Sequence, residues 1–256
     1  MPVASNGGVA CYYERDGGGD GDSVVFVGDA GYGAWQWGWQ HAAVAGPFES
    51  VVTDVRGAGR SDAPPGPYAI SDLVSDFTTV LSDAGLRSTS VVGAGLGGLV
   101  GLEAARTTSR VDRLVCLGSG ASGSGVDLDS LYAPPTDREG VERTTKAALS
   151  AEFVDEHPDA VREIVEWRTA EDADPAAWEA QAAAARGYAL DAPYEVTTPT
   201  LVVHGTDDAA WPVEGARTLT EDLPRGEFVG VDGAGHLAHV ERSKRVNDEL
   251  LAFLEE

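Results

Sequence analysis

The stretch Val91-Val92-Gly93-Ala94-Gly95-Leu96-Gly97-Gly98 decides the fold of this chain. Two β-branched residues lead into closely spaced glycines, and an apolar helical pattern continues from Leu96 to Thr107. This order predicts a buried strand that enters a tight turn and opens a helix. A strand followed at once by a helix is half of a βαβ unit, so the stretch predicts a sheet covered by helices.

The same alternation of strands and helices extends over most of the chain. The strand-like runs are apolar along nearly their whole length, which is typical of parallel strands buried on both faces. The predicted strands cover residues 24–27, 51–55, 90–92, 111–117, 200–203 and 227–231, and the predicted helices cover 37–45, 71–84, 96–107, 213–222 and 241–254. We therefore expect an α/β fold with a doubly wound, mostly parallel sheet.

One interval, residues 122–195, breaks this alternation. It begins within the small-residue run 119–125, reads as several short helices and carries more acidic than basic side chains. An insertion after the carboxyl end of a strand lies over the edge where such sheets bind ligands. We predict a core of residues 1–121 and 196–256 and a helical lid of residues 122–195. A helical excursion with a purely structural role is the alternative.

The charge of the chain excludes whole classes of partner. The 256 residues include 42 acidic and 18 basic side chains, for a formal net charge of -24. A surface this negative repels phosphate backbones and anionic lipid headgroups, so we expect neither nucleic-acid nor membrane binding. Lys146 and Lys244 are the only lysines. Dispersed acidity with few lysines favours a protein adapted to high salt over an ordinary acidic protein.

Two further features bear on location. Residues 1–5 have neither the basic nor the apolar region of a secretory signal, so we expect a cytoplasmic protein. The most apolar stretch, 91–105, is rich in glycine and broken by Glu103, so we expect that it cannot span a bilayer. We interpret Cys11 and Cys116 as small buried hydrophobic residues. The sequence does not indicate an oligomeric state.

The glycine turn supports two chemistries. Gly93, Gly95 and Gly98 satisfy the G-x-G-x-x-G pattern of dinucleotide-binding turns. That pattern should open the first βα unit and be followed by an acid at the end of the next strand, whereas here the next strand ends in Gly118-Ser119. The other interpretation is a nucleophile elbow, G-x-Nuc-x-G, which projects its central residue into a cleft. We favour the elbow.

Four segments in order resemble motifs of the α/β-hydrolase fold superfamily. Beside the elbow, residues 54–62 resemble its D-x-R-G-x-G-x-S-D turn, residues 201–208 with Pro212 resemble its acid-bearing strand end, and residues 233–236 resemble its histidine loop. The resemblance covers nearly the whole chain. It implies hydrolysis of small esters, lactones or epoxides in a lidded cleft, with no cofactor and no metal.

The resemblance assigns roles at the site, and the sequence departs from two of them. It implies a dyad of Asp208 and His236, with Asp207 as the alternative in register, and an oxyanion hole made by the backbone N–H groups of Ala30 and Leu96. The family places a nucleophile where this chain has Gly95, and glycine has no side chain that could attack. The family usually has His-Gly where this chain has Gly28-Asp29, and a carboxylate facing the hole would oppose a developing negative charge.

These departures leave two functional hypotheses. In the first, catalysis is non-covalent, and His236 acts on a water or on a substrate proton. In the second, the chain is a noncatalytic binding protein or scaffold. Trp35 and Trp37 resemble pocket aromatics, with core packing as the alternative. Metal binding by His204 and His239 together with Asp207 and His236 is conceivable, but no metal-site spacing supports it.

Overall fold

The computed structural model describes residues 2–17 and 22–256. Eight strands form one sheet in the order β1-β2-β4-β3-β5-β6-β7-β8. The strands are β1 Val3–Asn6, β2 Val9–Asp16, β3 Ser23–Val27, β4 Glu49–Thr53, β5 Thr89–Ala94, β6 Val111–Leu117, β7 Thr200–Gly205 and β8 Gly226–Val231. From β4 to β8 every neighbouring pair is parallel, which confirms the predicted fold class.

Ten α-helices connect and cover these strands within the described residues. They are α1 Gly38–Val44, α2 Ile70–Asp83, α3 Leu96–Thr107, α4 Arg138–Ala147, α5 Ala151–Glu156, α6 Pro158–Glu171, α7 Pro175–Arg186, α8 Val213–Asp222, α9 Ala238–Glu241 and α10 Ser243–Leu254. The predicted helices 96–107 and 213–222 agree with α3 and α8 at both ends. The predicted helix 241–254 is split into α9 and α10 at Arg242.

The core lies on both faces of the sheet. One face packs side chains such as Val25 and Val91 against Leu81 of α2 and Leu99 of α3. The other face packs Phe26, Val92 and Val203 against Val44 of α1 and Leu250 of α10. Successive residues of one strand point to opposite faces, so strands that are apolar throughout require helices on both sides.

The sequence did not predict β1 and β2, which form the antiparallel edge of the sheet. Their pattern explains the omission. The last three residues of β2 are exposed, and only one residue of β1 is buried, so these strands lack the continuous apolar run of the others. Antiparallel edge strands with one solvated face carry a weaker signal than central parallel strands.

The sheet brings three loops together at the carboxyl ends of its central strands. The loop after β3 begins at Gly28, the turn after β5 is Gly95, and the loop after β7 begins at Thr206. Helices α4 to α7 all lie between β6 and β7 in the chain, and α6 and α7 contact the loop after β3. In parallel sheets this edge holds the ligand or active site. Among the described residues, no helix is both long and apolar enough to cross a bilayer.

Candidate active site

The turn between β5 and α3 has the geometry of an elbow. Gly95 has φ +46° and ψ -109°, in the left-handed half of backbone space, and α3 begins at the next residue. A residue in this conformation projects away from the sheet at the mouth of the parallel strands. Gly95 is therefore placed where the resemblance predicts a nucleophile, with the N-terminus of a helix directly behind it.

The side chain of Asp29 occupies the space beside Gly95. Its Oδ1 accepts hydrogen bonds from the backbone N–H groups of Ala30 and Leu96, each with a donor–acceptor distance of 2.7 Å. These are the two groups that the resemblance assigns to the oxyanion hole. A Cβ atom built on Gly95 would lie 1.9 Å from the same oxygen, so a side chain at this position collides with Asp29 unless Asp29 moves.

The second oxygen of Asp29 joins the carboxylate to the predicted dyad. Asp29 Oδ2 lies 2.9 Å from His236 Nε2, and His236 Nδ1 lies 2.8 Å from Asp208 Oδ2. The three side chains form one hydrogen-bonded row, Asp29-His236-Asp208. Their residues are 1%, 4% and 7% exposed, so the row is closed to solvent. The sequence predicts that Asp29 would disturb the oxyanion hole, whereas its hydrogen bond to His236 is evident only in the structure.

Asp208 is held by its own loop. Its Oδ1 accepts hydrogen bonds from the backbone N–H groups of Ala210 and Trp211, each over 2.9 Å. Asp207, the alternative in register, is exposed, and its carboxylate accepts a hydrogen bond from the hydroxyl of the neighbouring Thr206 at 3.2 Å. The structure thus places Asp208, and not Asp207, against His236.

The two carboxylates determine the charge of His236. Burial by itself would lower the pKa of the imidazole, but the negative charges and hydrogen bonds of Asp208 and Asp29 raise it to about 10. For Asp208, burial raises the pKa, yet His236 and a hydrogen bond from His204 outweigh burial and hold it well below its ordinary value. At neutral pH the ring is therefore an imidazolium that donates to a carboxylate on each side.

The other two histidines near the site do not extend it into a metal centre. His204 Nε2 lies 2.8 Å from the backbone oxygen of Trp211 and 3.3 Å from Asp208 Oδ2. His239 is buried beside Trp37, and burial lowers its pKa to about 3, with the charge of His236 acting in the same direction. Over residues 2–17 and 22–256, no group of three or more His, Cys, Asp or Glu side chains is arranged to hold a metal ion.

The two tryptophans lie on different faces of the sheet. Trp35 packs against Tyr32, and its indole N–H donates to Asp172 over 2.8 Å. Trp37 packs against Phe26 on the opposite face, with ring centroids 5.1 Å apart. Trp35 thus belongs to the contact between the loop after β3 and helix α6, whereas Trp37 lies in the core.

The helices between β6 and β7, and the segment between α6 and α7, form hydrogen bonds with the loop that carries Asp29. Gly31 donates its N–H to Gln181 of α7 over 2.6 Å and accepts from the backbone N–H of Ala173 over 2.8 Å. Asp172 accepts from Trp35 and forms an ion pair with Arg168 over 2.7 Å, and both of these charged side chains are fully buried. The sequence missed Arg168, Asp172 and Gln181, because polar residues on an acidic helix usually indicate a solvated face.

The contacts of the glycine turn also bear on the dinucleotide hypothesis. That hypothesis needs the N-terminus of α3 to receive a pyrophosphate. Here the N–H of Leu96 already donates to the Asp29 carboxylate. A fixed carboxylate at this place would repel a phosphate group, so the geometry favours the elbow interpretation.

The fold and the geometry of the candidate site define an α/β-hydrolase scaffold with glycine at the elbow and an aspartate side chain beside it. A family model described as the alpha/beta hydrolase family matches residues 24–249, and the chain belongs to this family. A putative carbamate hydrolase RutD from Variovorax paradoxus (strain S110) is 29% identical over 253 residues, with 95% of each chain covered. Its counterpart from Agrobacterium fabrum (strain C58 / ATCC 33970) is 28% identical over 255 residues, covering 95% of this chain and 97% of the relative.

Solved structures agree with this assignment. The enol-lactonase from Burkholderia xenovorans LB400 superposes with a TM-score of 0.88 at 25% identity and with complete coverage of both chains. Est816, described as an N-acyl homoserine lactone degrading enzyme, superposes with a TM-score of 0.85 at 25% identity, covering 98% of this chain and 100% of that one. This chain is thus similar to proteins described as hydrolases and lactonases of small molecules.

Proposed function

We propose that this protein is a hydrolase of small molecules in which Asp29, His236 and Asp208 replace the serine-dependent machinery. One observation carries the proposal: Asp29 is bonded both to the oxyanion-hole N–H groups and to His236, within 2.9 Å in each case. A buried, hydrogen-bonded row of titratable groups at the mouth of a parallel sheet is characteristic of a reaction centre.

The charge of the row restricts the chemistry. At neutral pH the imidazolium of His236 cannot remove a proton from a water, so the non-covalent hypothesis holds only in the form of proton donation by His236. Two carboxylates flank this one cation. A buried site of this charge disfavours anionic substrates, and we expect a neutral one.

Residues 122–195 serve as the lid of this site in our proposal. Asp172, Ala173 and Gln181 hold the loop that carries Asp29, and Asp29 is only 1% exposed. A substrate therefore reaches the row only when the lid and this loop separate. The names of the relatives support carbamates and lactones as starting substrates. The resemblance described for the sequence adds simple esters and epoxides to the panel.

The test is a substrate panel measured with and without His236. p-Nitrophenyl acetate, an aryl carbamate, a γ-lactone and styrene oxide are incubated with the unmodified protein and with His236→Ala in low and molar salt. We expect turnover of at least one substrate and a loss of about 10²-fold or more in His236→Ala. Circular dichroism establishes that the variant is folded. Asp207→Ala, next to the row but exposed, is the matched control and should retain activity.

A second candidate, a noncatalytic descendant, is favoured by the closure of the site. Both oxygens of Asp29 are bonded within the protein, and the row is buried. A row whose partners are all internal can stabilise a scaffold without reacting. No turnover of any panel substrate by the folded protein, at any salt concentration, would favour this candidate and contradict the hydrolase.

A further inference from the structure

We propose that Asp29 is itself the nucleophile, and that it opens an epoxide through an ester formed on its own side chain. The inference rests on the proposed function, because it names the reacting residue and substrate class of that same site. The inference depends on the different partners of the two oxygens of the Asp29 carboxylate. Oδ1 accepts hydrogen bonds from the two backbone N–H groups of the oxyanion hole, and Oδ2 lies 2.9 Å from His236 Nε2.

The position of Oδ1 argues against attack on a substrate carbonyl. Such a reaction develops an oxyanion on the substrate, and the stabilising donors must lie about 2.7–3.1 Å from it. In this protein the N–H groups of Ala30 and Leu96 are already bonded to Asp29 Oδ1. The oxygen of a substrate carbonyl would develop its negative charge next to the Asp29 carboxylate, and both N–H groups of the hole would already be occupied. Attack at a saturated carbon avoids this problem, because no oxyanion forms at the carbon attacked.

The same position of Oδ1 suits the hydrolysis of an Asp29 ester. If Oδ2 carries the alkyl group, Oδ1 is the carbonyl oxygen of the ester. Attack of water on Cγ then places the negative charge on Oδ1, which already lies 2.7 Å from both donors. The oxyanion hole therefore stabilises the negative charge that forms on Asp29 Oδ1 during hydrolysis of the ester, which is the second half of the reaction.

The proton on His236 favours an epoxide among substrates with an electrophilic saturated carbon. In the first step Oδ2 forms a bond to an epoxide carbon, the ring C–O bond breaks, and its electron pair stays on the ring oxygen. That alkoxide takes the proton from His236 Nε2. The step leaves a neutral imidazole and a neutral ester, so the carboxylate that had kept His236 charged is removed as the proton is consumed.

The second step restores the starting state. The neutral His236 accepts a proton from water as the water oxygen bonds to Cγ of Asp29. The tetrahedral intermediate expels the product alkoxide, which takes the proton of the new carboxyl group. The products are a vicinal diol, the Asp29 carboxylate and the His236 imidazolium, so the sum is one epoxide plus one water. A haloalkane would leave His236 protonated after the first step, without a base for the second.

The surroundings of Asp29 suit an apolar body on the substrate. The rings of Tyr132 and Trp178 stack in parallel at 4.3 Å between centroids. Both lie against Gly31, two residues from Asp29, where an added Cβ would be 2.7 Å from Trp178 and 3.0 Å from Tyr132. A phenyl-substituted epoxide could pack against this aromatic pair after the lid opens, which makes styrene oxide the natural probe.

The experiment is a single turnover of styrene oxide in H₂¹⁸O with protein in excess. If Asp29 is the nucleophile, the first diol carries ordinary oxygen from the side chain, and ¹⁸O appears in the peptide that contains Asp29. Mass spectrometry measures the ¹⁸O content of the diol and of the peptide that contains Asp29. Asp29→Asn should lose at least about 10³-fold in rate, since the amide is a poor nucleophile, whereas Asp207→Asn should not change it.

The possible results separate this inference from the proposed function. His236-dependent opening of styrene oxide with ¹⁸O in the first diol would overturn the inference and leave the hydrolase intact. His236-dependent turnover of the ester, carbamate or lactone without any of styrene oxide would do the same. No turnover of any of the four substrates would overturn both. The oxygen assignment uses the unmodified protein, so it remains decisive if Asp29→Asn fails to fold.

Discussion

The carboxylate of Asp29 and the backbone N–H of Leu96 are hydrogen-bonded over 2.7 Å, directly above Gly95. The sequence presents the glycine at the elbow and the aspartate after β3 as two separate departures from the family pattern. The structure shows that they are one arrangement, because a Cβ at Gly95 would lie 1.9 Å from Asp29 Oδ1. The side chain missing from one loop is replaced in space by the side chain of another.

This replacement predicts how the protein responds to reagents directed at active serines. A fluorophosphonate or sulfonyl fluoride needs a nucleophilic hydroxyl and free oxyanion donors, and the site offers neither. We expect no stoichiometric adduct by intact mass spectrometry. Labelling that disappears in His236→Ala would show that a hydroxyl elsewhere is activated by this histidine, against the assignment of the site.

The raised pKa of His236 predicts a dependence of stability on pH. The folded-state value of about 10 lies above the ordinary 6.5, so the contribution is complete below about pH 6.5 and is lost as the pH rises through 10. The free energy of unfolding should fall across this window by up to about 1.4 kcal/mol per pH unit from this one group. Urea unfolding at a series of pH values measures the slope.

Two variants identify the group responsible for that slope. His236→Asn should flatten the profile between pH 6.5 and 10, whereas His157→Asn, on an exposed helix end, should retain it. Asp208 contributes in the opposite direction, because its lowered pKa adds stability that is lost on acidification below about pH 4. An unchanged slope in His236→Asn would show that the imidazole is not charged in the folded protein.

The buried ion pair of Arg168 and Asp172 predicts a large effect of a single truncation. Both side chains are fully buried, and Asp172 also accepts from the Trp35 indole. Asp172→Ala leaves an uncompensated cation in the interior and should cost about 3–5 kcal/mol in urea unfolding. Asp159→Ala removes an exposed partner of Arg162 on the same helix and should have almost no effect. Equal effects would mean that the buried pair is not formed.

The sequence was sufficient for the fold class and for the contact between Asp208 and His236 in the candidate site. The run from Val91 to Gly98 and the continuous apolar strands specify a parallel sheet, since only burial on both faces requires that pattern. The motifs around Asp208 and His236 are local, and the structure brings these two residues to 2.8 Å. Local patterns of this kind can be recognised from one chain alone.

The rest of the site depends on contacts that no local pattern encodes. The direction of the Asp29 side chain follows from donors on two segments, Ala30 and Leu96, that are far apart in the chain. The buried pair of Arg168 and Asp172 has the spacing of an ordinary surface pair on a helix, and only the packing of α6 on the loop after β3 distinguishes it. Tertiary packing decides both features.

The net charge of -24 predicts a dependence of the melting temperature on salt. The Debye length is about 3 Å in 1 M salt and about 30 Å in 0.01 M, so repulsion among the carboxylates is unscreened at low salt. The melting temperature should fall steeply between molar and millimolar KCl. NaCl and CsCl at equal ionic strength should give the same curve if screening is the cause. A melting temperature that does not change with salt would contradict adaptation to high salt, but it would not contradict the assignment of the fold.

The proximity of Gly95 and Asp29 predicts which substitutions restore a serine hydrolase. Gly95→Ser alone places a side chain against the Asp29 carboxylate, whose oxygen continues to fill the oxyanion hole, so we expect little activity. Adding Asp29→Gly removes the collision, frees the N–H groups of Ala30 and Leu96, and leaves His236 to accept the serine proton. Loss of one flanking carboxylate also removes one of the causes that raise the pKa of His236.

The double variant should therefore hydrolyse p-nitrophenyl acetate with a burst and bind one fluorophosphonate per chain, whereas each single variant should not. Its rate should exceed that of Gly95→Ser by about 10²- to 10³-fold, the usual contribution of one oxyanion donor. The matched control is Gly95→Ala with Asp29→Gly, which has the same open hole but no hydroxyl. Adding His236→Ala should abolish the gain. A folded double variant with no esterase activity would mean that Gly95 and His236 are not in catalytic register.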